Sequence, residues 1–360
     1  MTVIFLEPLD VWMFRDGRPF DAGQAHRAES RFPPYPLTVQ GALRAYHLAV
    51  VRKDVPFDDA AAIEQAVGPA DGWGSLRMCG PFVARRTAGG RVELLFPPPA
   101  DAVPSGEGIA RLPAPASPPE WLRTNALVPA LFPLWEVERE RAERSGKGEP
   151  RLWLPAPALR AYLDRKAVAG IAEDTIWERE VRVGIAQDSA RRVTVEGRYY
   201  EAGYVRLAPG YGLLVEFAGL EGWPERGVLA LGGERRSASF EVVQVDALPP
   251  APDPLPERFS VYLATPAWFD CGWRPRDWGT LFEGQVELVA AAVPRYEAAG
   301  GFSLAGNQHR PARRFVPAGS VYFFRARGAA RLRQVRGLWW PSFTQWGAEI
   351  GFGVAVIGAW

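Results

Sequence analysis

Three histidines, two arginine-bearing loops and one long acid-free stretch are the parts of this 360-residue chain that could do chemistry. General acid–base catalysis needs a group that titrates near neutrality and a second group beside the reacting atoms. His47 falls on a helix beside its apolar stripe, which predicts packing. His26 and His309 stand in basic loops, with no second acid or base paired to either in the sequence. No GxxxxGK loop, HExxH helix or carboxylate cluster at metal-ligand spacing occurs, so no catalytic residue, metal or cofactor is expected. The two cysteines, Cys79 and Cys271, are far apart and read as small apolar core residues rather than as a disulfide or zinc pair.

The arginines offer a different chemistry. Between Asp10 and Pro36, Arg15, Arg18, His26, Arg27 and Arg31 alternate with glycines and aromatic residues. That mixture suits phosphate contact, base stacking and close backbone approach. The competing reading pairs Arg15 with Asp16 and leaves Gly17 and Gly23 as turn residues. In LGGERR, Gly232 and Gly233 precede Glu234, Arg235 and Arg236, so exposed N–H groups and two guanidinium groups could hold a phosphate. A glycine C-cap with solvated charges is the alternative. From 298 to 348 there is no Asp or Glu but eight arginines, among them Arg310, Arg313 and Arg314. Such a surplus would release counterions on meeting phosphates. Trp339, Trp340 and Trp346 share the stretch and would serve either base stacking or packing.

Elements must position these groups. Thr2 to Leu9 reads as a strand feeding the first loop. A helix is predicted from about Leu37, with Val39, Leu43, Tyr46 and Val50 on one face and Arg52 and Lys53 closing it. Two strands, Leu76 to Arg86 and Arg91 to Phe96, flank a Gly-Gly turn. Eight prolines between 97 and 120 end regular structure and open an insertion of about 97–192, with helices predicted at Leu134 to Arg144 and Ala156 to Lys166. Strands are expected at Val193 to Arg206, Tyr211 to Phe217 and Ser237 to Val245, with a short helix around Glu225 to Leu231. Five prolines in the eight residues 249–256 predict a stiff connector. Beyond it, strands are expected at Phe259 to Ala264, Val286 to Val293, Ser320 to Arg325 and Phe352 to Ile357. The organisation expected is therefore 1–248 with its insertion, a linker at 249–257, and 258–360. Each half has about four strands and one or two helices, an α+β inventory compatible with β-α-β-β-α-β units.

Composition sets the class. With 48% hydrophobic and 23% charged residues the chain can bury a large core, and its net charge of +1 leaves any nucleic-acid affinity to local arginines. No apolar run approaches a membrane span and the N-terminus lacks signal-peptide features, so the expected location is cytoplasmic.

FLEPLDVWMFRDGRPFDAG followed by FPPYPLTVQGALRAY resembles the N-terminal signature of the third-subunit family of the Cmr module, within the repeat-associated RAMP superfamily. VRVGIAQDSARRVTVEGRYYEAGYVRL, LGGERRSASFEVV, VPAGSVYFF and the terminal GFGVAVIGAW are similar to further family blocks, in the same order. The family's glycine-rich loop often carries a basic residue between glycines. Here GAEIGFG has Glu349 instead. The resemblance implies two ferredoxin-like (RRM-like) domains, the first with a long insertion, in a type III-B CRISPR ribonucleoprotein. It implies a non-catalytic scaffold near the crRNA 5′ tag, with the crRNA, the large polymerase-like Cmr subunit and a neighbouring RAMP backbone subunit as partners. Two other functions stay open: a metal-independent RAMP-type endoribonuclease processing precursor crRNA through His26 or His309, and a protein-only adaptor.

Overall fold

The computed structural model describes residues 1–15, 27–105, 108–111, 151–188, 191, 193–245, 250–303, 308–333 and 341–360. The chain opens with β1 (Thr2–Pro8), β2 (Arg27–Ala28) and the helices α1 (Pro36–Tyr46) and α2 (Ala60–Val67). Then come β3 (Arg77–Arg86), β4 (Val92–Phe96), β5 (Ala102–Ser105), β6 (Gly108–Arg111), β7 (Leu152–Pro155), α3 (Ala156–Leu163) and β8 (Ile171–Ala172). A long pair, β9 (Trp177–Asp188) and β10 (Val193–Leu207), leads to β11 (Tyr211–Ala218), β12 (Arg226–Ala230) and β13 (Ser237–Val242). After the proline-rich connector follow β14 (Arg258–Leu263), β15 (Phe282–Glu283), β16 (Val286–Ala292), β17 (Glu297–Ser303) and β18 (Gln308–Phe315). The last strands are β19 (Val321–Ala326), β20 (Arg331–Leu332) and β21 (Ala355–Ala359). Few helices and mostly antiparallel strands in several sheets make this an α+β chain.

Two compact units divide it. The first comprises 1–92, 174–245 and 298–314; the second comprises 93–173, 246–297 and 315–360, so neither is a single stretch of chain. In the first unit the strands run in the order β12-β13-β1-β11-β3. β1 is central, with Phe5 opposite Leu214 on one side and Glu241 on the other. Ile4, Leu6, Leu213, Val215 and Phe217 are buried, as are Val39, Leu43 and Tyr46 of α1. The ring of Tyr46 meets that of Phe240 edge-on at 5.2 Å, with Trp223 against both. A second sheet of this unit, in the order β2-β10-β9, carries the long hairpin.

α1 begins where Pro36 fixes φ at the first helical position, and it ends differently from expectation. Residues His47–Val51 form a π-turn, closed by Arg52 N–H on the His47 carbonyl at 2.7 Å. The wider turn breaks the 3.6-residue register, so Val50 is exposed rather than on the apolar stripe, while His47 is buried. The segment expected to be helical near 225–231 is instead the edge strand β12, paired with β13 from Arg226 to Ala230. Gly227 there lies against the Tyr46 hydroxyl and the Phe240 ring, where a Cβ would come within 2.7 Å of both. The pair β3 and β4 has its tight turn at 87–91, with Thr87 N–H on the Arg91 carbonyl at 2.8 Å.

In the second unit the main sheet has the order β16-β19-β14-β21. Its core is aromatic: Phe259, Phe269, Phe282, Tyr322, Phe324 and Phe343 are each no more than 1% exposed. Phe259 stacks on Phe324 at 5.3 Å, and Trp278 stacks on Phe343 at 5.9 Å. α3 packs on β21, where the missing Cβ of Gly358 leaves room for Leu163. β4 pairs with β7, and β7 with β8. Of the two cysteines only Cys79 is buried; Cys271 is exposed, on the loop after β14, which corrects its reading as a core residue.

Candidate nucleic-acid interface

The first arginine loop hangs from the long hairpin of the first unit. Trp12 exchanges both backbone hydrogen bonds with Val205 of β10, at 3.0 and 2.8 Å. β2 then pairs in parallel with Glu201 and Ala202 on the same strand. Arg15 bridges Ser30, whose hydroxyl accepts from Phe14 N–H at 3.2 Å and donates to the Gly203 carbonyl at 2.5 Å. Beneath lie Trp12, Phe14, Phe32 and Trp177, the last two with rings 4.8 Å apart. The aromatics Trp12, Phe14 and Phe32 thus pack against one another. Arg15 is exposed, and the Arg31 guanidinium sits 4.4 Å over the Tyr35 ring. Arg18 and His26 lie outside the described residues; Arg27 contributes its backbone to β2 and its side chain is likewise outside.

The LGGERR loop meets the same region from the other side. Gly232 has φ +88°, and a Cβ there would come within 2.5 Å of the Met13 carbonyl. That carbonyl accepts from Gly233 N–H at 2.7 Å. The glycines therefore serve a close backbone approach, and no helix precedes them to be capped. Arg236 lies 4.7 Å over the Tyr204 ring and pairs with Asp10 at 3.5 Å and Glu234 at 3.4 Å. The Tyr204 hydroxyl donates to the Glu234 carboxylate. Arg235 is exposed, with no side-chain partner among the described residues.

A lattice joins these parts. Asp10 receives Arg182 and Arg206, each at 3.0 Å, and Glu180 receives the same two guanidinium groups at 2.6 and 2.5 Å. Hydrogen bonds from Arg182 and then Arg206 hold the Asp10 carboxyl below its ordinary value, and the same pair, Arg206 first, does so for Glu180. Sequence reasoning missed this network. The alternation in WEREVRVGI was the signal for β9, but the stretch was absorbed into the predicted insertion.

The acid-free segment divides in the structure. His309, Arg310, Arg313 and Arg314 stand on strand β18 rather than in a loop. Arg310 donates to the Ala70 carbonyl at 2.6 Å; Arg313 is half-buried and Arg314 exposed. Farther along, acids from other parts of the chain meet the arginines: Arg327 with Glu287 at 2.7 Å, Arg333 with Glu283 at 3.3 Å, and Arg331 with Asp253 at 3.6 Å. A surplus local in sequence is thus partly cancelled in space. Trp346 packs on Phe315 and Phe352, whereas Arg336, Trp339 and Trp340 lie outside the described residues. The GAEIGFG loop is a packed turn: Gly353 N–H donates to the Pro266 carbonyl at 2.8 Å, and a Cβ on it would meet Thr344 at 2.6 Å.

His47 is buried, and desolvation together with Arg52 lowers its pKa, which keeps the imidazole neutral near pH 7. Among the described residues no group of three or more His, Cys, Asp or Glu side chains is placed to hold a metal ion. No helix among them is long and apolar enough to cross a membrane.

Mostly antiparallel strands in several sheets, with Arg15, Arg235 and Arg314 exposed on them and on their loops, define an arginine-displaying α+β protein. A family model described as "CRISPR-associated protein (Cas_Cmr3)" matches residues 4–360, and the chain belongs to that family. It is also similar to two solved structures of the type III-B Cmr-beta. The one bound to cognate target RNA has TM-score 0.48 and 16% identity, over 89% of this chain and 86% of that one. The one bound to cognate target RNA and AMPPnP, state 1, has TM-score 0.48 and 17% identity over the same shares, 89% and 86%. No curated protein matches the chain.

Proposed function

We propose that this chain is a non-catalytic, RNA-contacting scaffold subunit of a type III-B CRISPR (Cmr) effector ribonucleoprotein. In this reading it holds the crRNA 5′-tag region, docks the large polymerase-like subunit and a neighbouring RAMP backbone subunit, and works in the cytoplasm. The observation that carries the reading is the family match over nearly the whole chain. Both main sheets are read as ferredoxin-like. In support, β13-β1-β11-β3 and β21-β14-β19-β16 each place the first and third strands of a four-strand set at the centre. α1 and α2 occupy the first crossover of the first set; short 3-10 turns at Trp278–Thr280 and Ala348–Ile350 stand where the second set would have helices.

The RNA contacts proposed are Arg15, Arg18, His26, Arg27, Arg31, Gly232, Gly233, Arg235, Arg236, Arg310, Arg313 and Arg314, with Arg236 and the Gly232–Gly233 backbone also shaping the loop between them. Affinity of this kind is electrostatic and backbone-directed, so it falls steeply with salt. Assembly tests it. Complexes reconstituted without this chain are expected to lose both the large subunit and protection of the 5′ tag; retention of both would sink the scaffold reading. Incubation with repeat RNA in EDTA separates the enzyme alternative, because cleavage that disappears in His26→Ala or His309→Ala would establish a nuclease instead.

A further inference from the structure

The loop at 68–74 in the first unit is closed on itself and ringed by guanidinium groups. Its neck is two glycines in contact: a Cβ on Gly68 would lie 2.5 Å from the Gly74 Cα, and one on Gly74 2.6 Å from the Gly68 Cα. Both have positive φ, +83° and +57°, so no other residue fits either place without strain. The closure gathers the loop's carbonyls, and three arginines donate to its backbone, Arg44 and Arg310 from distant parts of the chain and Arg77 from just beyond the loop. Arg44, in the last turn of α1, reaches Gly72 at 3.1 Å, Pro69 at 2.8 Å and Gly68. Arg77, at the start of β3, reaches Gly74 at 3.0 Å and Leu76 at 2.8 Å. Arg310, from β18, reaches Ala70 at 2.6 Å.

Carbonyl oxygens satisfy donors but do not neutralise charge. None of the three arginines has an ion pair with a carboxylate among the described residues, in contrast to Arg182, Arg206 and Arg327. Three positive charges therefore stand around a short loop whose one carboxylate, Asp71, forms no ion pair with any of them, and the proximity of Arg310 adds to burial in lowering the pKa of Arg44. Arg310 differs from the other two in what it has left over. A guanidinium carries five N–H donors in a fixed fork, and one nitrogen of Arg310 meets a carbonyl. Its stem passes the backbone of Gly301, with the Cδ 3.7 Å from the position a Cβ would take there.

We propose that Arg310, with the charges of Arg44 and Arg77 behind it, forms an anion point on the 68–74 loop that takes a phosphate group of a polyanion. The loop carbonyls orient the fork, and the two inner arginines raise the local potential. Which polyanion is bound rests on the RNA reading above; the existence of the anion point does not.

The test uses the full-length chain and two probes. With a single-stranded oligoribonucleotide, the slope of log affinity against log salt is expected to shrink by about 0.7 in Arg310→Gln, the value for one lost phosphate contact on a single strand. Arg310→Lys, which keeps the charge and a donor for Ala70, is expected to retain most of the slope and guards against a folding defect. Arg327→Gln, which removes an arginine already paired with Glu287, is expected to leave it unchanged. Inorganic pyrophosphate is the second probe: it should raise Tm of the parent chain and of Arg310→Lys more than that of Arg310→Gln. Failure of RNA binding with a pyrophosphate effect that depends on Arg310 would retain the anion point and discard the RNA reading. A salt slope in Arg310→Gln equal to the parent's, or a pyrophosphate shift absent or indifferent to Arg310, would overturn the inference.

Discussion

Each unit holds an arginine–carboxylate assembly, and the two are built on opposite terms. In the second unit Asp101 and Arg111 meet at 2.7 Å with side chains 0% and 3% exposed. The Tyr162 hydroxyl donates to the other Asp101 oxygen at 2.9 Å. Arg111 also donates to the Ala359 carbonyl at 2.9 Å and lies 4.8 Å over the Phe323 ring. In the first unit Asp10, Arg182 and Arg206 form the same kind of bond with 47%, 38% and 39% of their side chains exposed. Water screens the first unit's assembly and is excluded from the second unit's. The contrast teaches which is structural and which is adaptable: a buried pair is costly to break because it leaves a bare charge behind, whereas an exposed lattice can exchange partners at little cost.

The largest effect is therefore expected at Arg111. Arg111→Ala leaves Asp101 uncompensated in the interior and should destabilise by about 3–5 kcal/mol, read as a lowered midpoint in urea. The double variant Asp101→Asn/Arg111→Met keeps an acceptor for Tyr162 and fills the stem's volume. It should be clearly more stable than Arg111→Ala, because replacing both members of a buried pair is often neutral. If the double variant were as unstable as the single, the cost would lie in packing and the comparison with the exposed lattice would lose its basis. Burial beside Asp101 also pushes the Tyr162 hydroxyl far up, so this site should show no tyrosinate on raising pH to 11 or so.

Next in size is a pH effect at the π-turn. The folded pKa of His47 lies below its ordinary value of 6.5, so the unfolded chain binds the proton more readily. Its contribution to stability is full above about pH 6.5 and is lost as pH falls through the folded pKa. His47→Gln, neutral throughout, should flatten that part of the stability–pH curve. An unchanged slope between pH 7 and about 5 would show that His47 does not carry it.

Much of this was legible in the sequence, and the failures have physical causes. Strands with clear β-branched or aromatic runs, such as β1, β3, β14 and β19, agree with expectation to within a residue or two. β12 does not, because a strand stabilised by one neighbour on one side has no pattern of its own; Gly227 and Val228 were the residues that argued against a helix. α2 carried a readable signal that went unused: Asp59 caps it, accepting from Ala61 and Ala62 N–H at 3.0 Å. For the site, the arginines of the first loop and of LGGERR were visible by type, but their partners were not. Asp10, Glu180 and Tyr204 are separated from Arg236 by up to 226 residues and are brought together by β-pairing alone. The acid-free stretch misled for the same reason, since Glu283, Glu287 and Asp253 reach its arginines from outside it.

The smallest effect is expected at Asp10, and its sensitivity to solvent is the point. Asp10→Ala removes the carboxylate that Arg182, Arg206 and Arg236 share, yet Glu180 still holds two of the three. Global stability should therefore change little, and the change should vanish in about 1 M salt, where the screening length falls to about 3 Å. The folded pKa values of Asp10 and Glu180 lie below the ordinary 3.8 and 4.5, so what the lattice contributes is present above those values and is lost as pH falls beneath them. Binding should respond in the opposite direction to stability: loss of one negative charge raises the positive potential beside the LGGERR loop, so Asp10→Ala should tighten the proposed RNA binding at low salt and raise its salt dependence. If instead Asp10→Ala unfolded the chain as severely as Arg111→Ala, the exposed lattice would be as structural as the buried pair, and the distinction between the two assemblies would fall.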